Sequence, residues 1–261
     1  MTITRIFGAA LLLSGLALIH AQTEEPRILR IVREDVKSGK GAEHQKIEAA
    51  YARAFAKAGF ANYIGMESVT GPNQAWFVEA FDSWASIEYA LKLQGTEPLR
   101  SEISPLGPQD GELLTADSSM VASLQKGLSY LPGALNLASM RYVNVYAIRI
   151  RPGHAPDFAE RAKLLNAARE KTGWKGRAAV YRIESGAPES TYLVLIPIVS
   201  LKELDSGPNE AAAMSPADLA RFRKLNQETI VSSAYTLFAI NPKMSNPPKA
   251  VIDADPGFWK P

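Results

Sequence analysis

The chain alternates between short apolar runs and alanine-rich stretches, and it does so twice in the same order. Residues 28–36 form an extended apolar run interrupted by charge, and the glycine-bearing turn Lys37-Ser38-Gly39-Lys40-Gly41 follows it. Such a run, closed by glycine, reads as a strand, and the alanine-rich residues 49–56 behind it read as a helix. Residues 142–150, about 114 positions later, repeat the pattern, with the turn Arg151-Pro152-Gly153-His154 and a helix through 159–168. Glu43 and Asp157 fall where the first helical turn favours an acid, and Gly59 and Gly173 fall where a helix would end. Each helix leads into a predicted hairpin. Residues 62–69 and 74–81 flank Thr70-Gly71-Pro72-Asn73, and residues 177–183 and 191–198 flank the turn at 184–188. Helical stretches then start near Ser83 and Ser200, and final strands are expected at 119–126 and 233–240.

The order β-α-β-β-α-β therefore appears twice, and the fold expected is α+β: two ferredoxin-like βαββαβ modules in one chain, forming a pseudo-dimeric α/β barrel. The first module covers 22–130 and the second 139–241, with a linker at 131–138. Residues 1–21 read as an export signal, with Arg5 before the apolar run 6–19 and small Ala21 at its end. The protein is then periplasmic or extracellular, with no membrane span left after cleavage. Residues 242–261, carrying five prolines, read as an extended surface arm on which Phe258 and Trp259 either pack back or fray.

Composition narrows the chemistry. With 46% hydrophobic residues the chain can bury real cores, and a net charge of +2 without a dense basic block argues against nucleic-acid binding. The absence of cysteine removes disulfides, thiolate nucleophiles, lipoprotein anchoring and Cys-ligated metals. No GxSxG elbow occurs, and Gly39-Lys40-Gly41 lacks the third glycine of a dinucleotide loop. Of the three histidines, His20 belongs to the signal. His44 and His154 have no mutual ligand spacing, so His44 is expected at the surface and no metal centre is expected. A zinc site would need carboxylates from distant parts of the chain.

The element order resembles the dimeric α/β-barrel superfamily, which includes antibiotic-biosynthesis-type monooxygenases and EthD-like and NIPSNAP-like proteins. The local match is residues 79–88, Glu-Ala-Phe-Asp-Ser-Trp-Ala-Ser-Ile-Glu, similar to the strand-to-helix corner of the monooxygenase-type members, with Trp84 at its tryptophan. The resemblance implies two sheets facing each other across a lumen. Haem-degrading members carry a histidine soon after this corner. This chain has Ala90-Leu91-Lys92-Leu93-Gln94 there, which argues against haem degradation; no cofactor is expected, and haem or flavin binding stays open.

Strand alternation nominates lumen residues. Val143, Val145 and Ala147 form the small apolar face expected under helices, leaving Asn144 and Tyr146 for the lumen. The same phase in the first module gives Arg30 and Glu34. Arg30, Glu34, Asn144 and Tyr146 are thus the ligand-binding candidates, and Glu79, a carboxylate inside an apolar strand, and Trp84 are the catalytic ones. The function expected is binding of a small apolar or aromatic molecule between the sheets. The alternative is a cofactor-independent monooxygenase- or isomerase-like reaction in that lumen. The protein is expected to work as a monomeric pseudo-dimer or a homo-oligomer.

Overall fold

The computed structural model describes residues 22–23, 25–60, 63–130 and 135–260; the expected export signal lies outside them. The strands are β1 (Gln22–Thr23), β2 (Ile28–Val36), β3 (Tyr63–Ser68), β4 (Gln74–Phe81), β5 (Leu114–Leu124), β6 (Leu135–Asn136), β7 (Tyr142–Ile150), β8 (Ala179–Ser185), β9 (Thr191–Ile198) and β10 (Ile230–Ile240). The helices are α1 (Gly41–Lys57), α2 (Trp84–Gln94), α3 (Leu99–Ile103), α4 (Leu106–Gly111), α5 (Ala155–Thr172), α6 (Glu210–Ala213), α7 (Pro216–Thr229), α8 (Lys249–Ala254) and α9 (Pro256–Trp259).

Eight strands close into one antiparallel barrel in the order β10-β3-β4-β2-β5-β8-β9-β7, and β1 pairs separately with β6. The order β3-β4-β2-β5 in one half matches β8-β9-β7-β10 in the other. Two seams join the halves: β5 to β8 between Val121–Leu124 and Tyr181–Ser185, and β10 to β3 between Phe238–Ile240 and Met66–Ser68. Closure leaves none of these eight strands with a free edge. The expected hairpins are both present. Gly59 and Gly173 adopt positive φ (70° and 69°) just past α1 and at the end of α5, the conformation that ends a helix with little strain when no Cβ is present.

Among the described residues, three apolar clusters hold most of the buried side chains. The largest fills the barrel and includes Leu29, Ile31, Met66, Trp76, Val78, Met120, Val143, Val145, Tyr181, Leu193 and Phe238. The second lies between α1 and the outer face of its own strands, around Phe55, Tyr63 and Phe77. The third lies under α5, around Ile148, Ile150, Phe158 and Tyr192.

This arrangement reverses the expected strand phase. Val143, Val145 and Ala147 pack in the barrel interior, whereas Tyr146 and Ile148 pack on the α5 side. In β2 the interior residues are Leu29 and Ile31, and Val32 and Val36 pack on the α1 side. Arg30 and Glu34 share the phase of Val32 and Val36, so neither reaches the lumen. β2 and β7 bury residues on both faces, so apolar residues occupy both and the alternation carries little directional signal.

The C-terminal arm also differs from expectation. It forms the short helices α8 and α9, and Val251 and Trp259 are buried in the barrel cluster. Pro256 at the first turn of α9 suits a helix start, because its missing N–H would have no partner there. Among the described residues no helix is long and apolar enough to cross a membrane.

Candidate functional site

The sequence-nominated residues fall into separate places. Arg30 and Glu79 face each other in the β2–β4 register and form an ion pair at 2.8 Å. Burial pushes the Glu79 carboxyl up and the Arg30 charge partly opposes that shift. Trp84 opens α2 behind a Ser83/Ser86 capping box and is 56% exposed, so it is neither a core anchor nor part of an enclosed site. Asn144 is buried and accepts a hydrogen bond from the Tyr235 hydroxyl at 2.9 Å. Tyr146 packs against Tyr235 with the rings tilted by 36° and their centroids 4.7 Å apart. Only Glu34 belongs to a concentrated polar centre.

That centre lies between β2, α1, β3 and α4. Glu34 projects from β2 toward α1. On α1, His44 and Glu48 stand four residues apart, which places both on one face. Tyr63 comes from β3 and Asp110 from α4. The His44 ring is fully buried, correcting its expected surface position, and Glu48 and Asp110 are 3% and 7% exposed. His44 Nε2 lies 2.8 Å from Glu34 Oε2 and 3.7 Å from Asp110 Oδ1. The Tyr63 hydroxyl donates to Glu48 Oε2 at 3.1 Å. Tyr63 itself is fixed by a parallel stack on Phe77, centroids 5.6 Å apart.

Electrostatics make the centre expensive. Burial, then the charges of Glu34 and Asp110, hold the Glu48 carboxyl well above its ordinary range, against the hydrogen bond from Tyr63. Burial and Glu34 lift Asp110 to about 6, with His44 opposing. Asp110 Oδ1 and His44 Nδ1 are buried without a hydrogen-bond partner. Crowded carboxylates of this kind must share protons or meet a cation. One ligand atom from each of Glu34, His44, Glu48 and Asp110 can be chosen so that all four lie within 4.8 Å of one another. Donors about 2.0–2.2 Å from one ion lie at most about 4.4 Å apart, so the four groups need to draw together by a few tenths of an ångström to share one.

Sequence reasoning missed His44, Glu48, Tyr63 and Asp110. The readable signal was the imidazole and carboxylate four residues apart on α1; the other members come together only through the fold. The carboxylates from distant parts of the chain that a metal site would require are Glu34 and Asp110.

The opposite half treats the corresponding place differently. Strands β2 and β7 are both nine residues long, with the same position in their halves. At the 114-residue offset between them, Glu34, His44 and Glu48 correspond to Ile148, Phe158 and Ala162, all buried, with Ile148 and Phe158 in the cluster under α5.

No protein-family model matches the chain, and no curated protein matches it. Solved structures do. A proposed monooxygenase from Fusobacterium nucleatum subsp. nucleatum superimposes with a TM-score of 0.56 at 9% identity, over 84% of this chain and 94% of that one. An anthrone oxidase-like protein gives 0.54 at 11% identity, over 84% and 92%. A proposed monooxygenase from Lactobacillus acidophilus NCFM gives 0.51 at 7% identity, over 83% and 94%. The likeness is one of fold. The shared feature is the closed antiparallel barrel with helices outside it, and each neighbour matches along nearly the whole of one chain.

Proposed function

We propose that this protein binds a divalent transition-metal ion through Glu34, His44, Glu48 and Asp110, and that this centre is its working site. The observation that carries the reading is the convergence of the four ligand atoms within 4.8 Å, with Asp110 Oδ1 buried and lacking a hydrogen-bond donor. Three carboxylates with one imidazole suit Mn²⁺, Fe²⁺ or Zn²⁺ over thiophilic ions. Tyr63 orients Glu48, and Phe77 orients Tyr63. The bound ion would act as a Lewis acid toward an oxygen-bearing ligand.

Two further expectations stand beside this reading. We read the halves as diverged copies of one ferredoxin-like module, only the first of which kept or gained the polar centre. Export, argued from residues 1–21, would make the mature protein periplasmic or extracellular, and N-terminal sequencing of protein secreted by its own host tests it. The rival function is cofactor-independent monooxygenase- or isomerase-like chemistry on a small apolar molecule between the sheets. The fold likeness favours it; the side chains filling the barrel count against it.

The test is metal content and titration. Protein stripped with chelator should take up one equivalent of Mn²⁺ or Zn²⁺ by calorimetry and elemental analysis. At 100 times Kd the ion should add about 2.7 kcal/mol of stability. His44→Ala and Asp110→Asn should each weaken binding by roughly tenfold or more. Failure of the parent protein to bind either ion stoichiometrically would sink the reading.

A further inference from the structure

The C-terminal segment closes one end of the barrel with aromatic side chains. The chain is anchored to the first half as far as Asn246: Met244 is fully buried beside α1, and Asn246 exchanges backbone hydrogen bonds with Tyr63. After Pro247 and Pro248 the character changes. α8 turns Val251 and Ile252 toward the barrel, and Lys249 pairs with Asp253 outside. Trp259 is only 5% exposed and belongs to the same cluster as the barrel interior. Its indole N–H donates to the Ala138 carbonyl at 3.0 Å. Phe258 packs edge-on against Trp259, with centroids 5.0 Å apart, and the Arg141 guanidinium lies 3.9 Å from the centre of the Phe258 ring. Arg141 also pairs with Asp255.

We propose that this end of the barrel is a binding site for a planar aromatic molecule bearing an N–H or O–H donor, and that Trp259 occupies it as an intramolecular ligand. The site offers an apolar floor, one backbone acceptor in Ala138 and one guanidinium for an aromatic face. That is the pattern of a small-molecule pocket with few, fixed polar groups. The occupant is tethered, not continuous with a barrel strand. Among the described residues beyond the prolines, its polar ties to the body include the part-exposed Arg141–Asp255 pair and the buried Trp259–Ala138 bond, and Val251 and Trp259 add apolar contact. An external aromatic competes with a tethered one, so its apparent affinity is reduced by the fraction of time the tail is seated. This inference is independent of the metal centre and survives that proposal's failure.

Indole is the probe, used on the full-length chain. Trp259→Ala should bind indole with one-to-one stoichiometry and at least about tenfold more tightly than the parent, because the competing side chain is gone. In the parent, saturating indole should speed tryptic cleavage after Lys249, since seating the probe releases the tail. Equal affinity in parent and Trp259→Ala, or no binding by a variant with parental circular dichroism, would overturn the proposal. If the variant does not fold, the parent decides: cleavage after Lys249 that indole does not accelerate is equally fatal.

Discussion

A carboxylate taken out of water costs several kcal/mol unless it is paired, protonated or bound to a metal. The first half accepts that cost at Glu34, Glu48 and Asp110, whereas the second half holds hydrocarbon at Ile148, Phe158 and Ala162. The contrast yields a test at the scale of single residues. The combination Glu34→Ile, His44→Phe, Glu48→Ala, Tyr63→Phe and Asp110→Leu copies the apolar solution and leaves no polar member stranded. In metal-free protein it should raise the unfolding free energy by about 1–4 kcal/mol in urea melts, while abolishing metal uptake. A loss of stability instead would identify the centre as a structural network. Very little of it was legible in the sequence. Glu34 was singled out by strand phase as a lumen residue, which put it on the wrong face. His44 looked like a surface histidine because its partners lie 10 residues before it and 66 after it in the chain.

Among the elements, strands and hairpins were the most readable, because glycine and proline mark their turns. β9 matches the expected residues 191–198. β5 and β10 begin earlier than expected, at Leu114 and Ile230. The polar residues at 115–119 concealed the start of β5, and pairing with β2, not apolar content, extends the strand there. One turn glycine has a second duty. Gly186, at φ +89° between β8 and β9, would place a Cβ 2.1 Å from the Ser119 carbonyl oxygen and 2.7 Å from Met120 Cα. It therefore lets the hairpin sit against β5 at the seam between the halves. Gly186→Ala should cost about 2 kcal/mol or more, and hydrogen exchange should quicken at the amides of residues 121–124 before it quickens under α1.

For the whole molecule, element order fixed the architecture well, and what escaped was which surface each sheet turns inward. β2 and β7 carry apolar residues on both faces, since one meets the barrel interior and the other a helix layer. A pattern with two buried faces has no polar side to orient it. The two seams have a consequence of their own. Each half contains every strand of its own sheet, and the halves meet by edge pairing, by the shared interior and by the segment after β10, which docks Met244 and Asn246 on the first half. Chain continuity between Tyr130 and Leu135 is therefore a matter of concentration, not of design: a covalent link that keeps complementary edges near each other. Residues 22–130 and 135–261, produced as two polypeptides in one cell, should reconstitute a one-to-one heterodimer with the parent's circular dichroism. Either fragment alone exposes two unpaired sheet edges and an apolar face, and should aggregate or self-associate. Co-purification of the two fragments, read by size-exclusion chromatography, checks this, and the barrel would then serve as a reporter that assembles only when its halves meet.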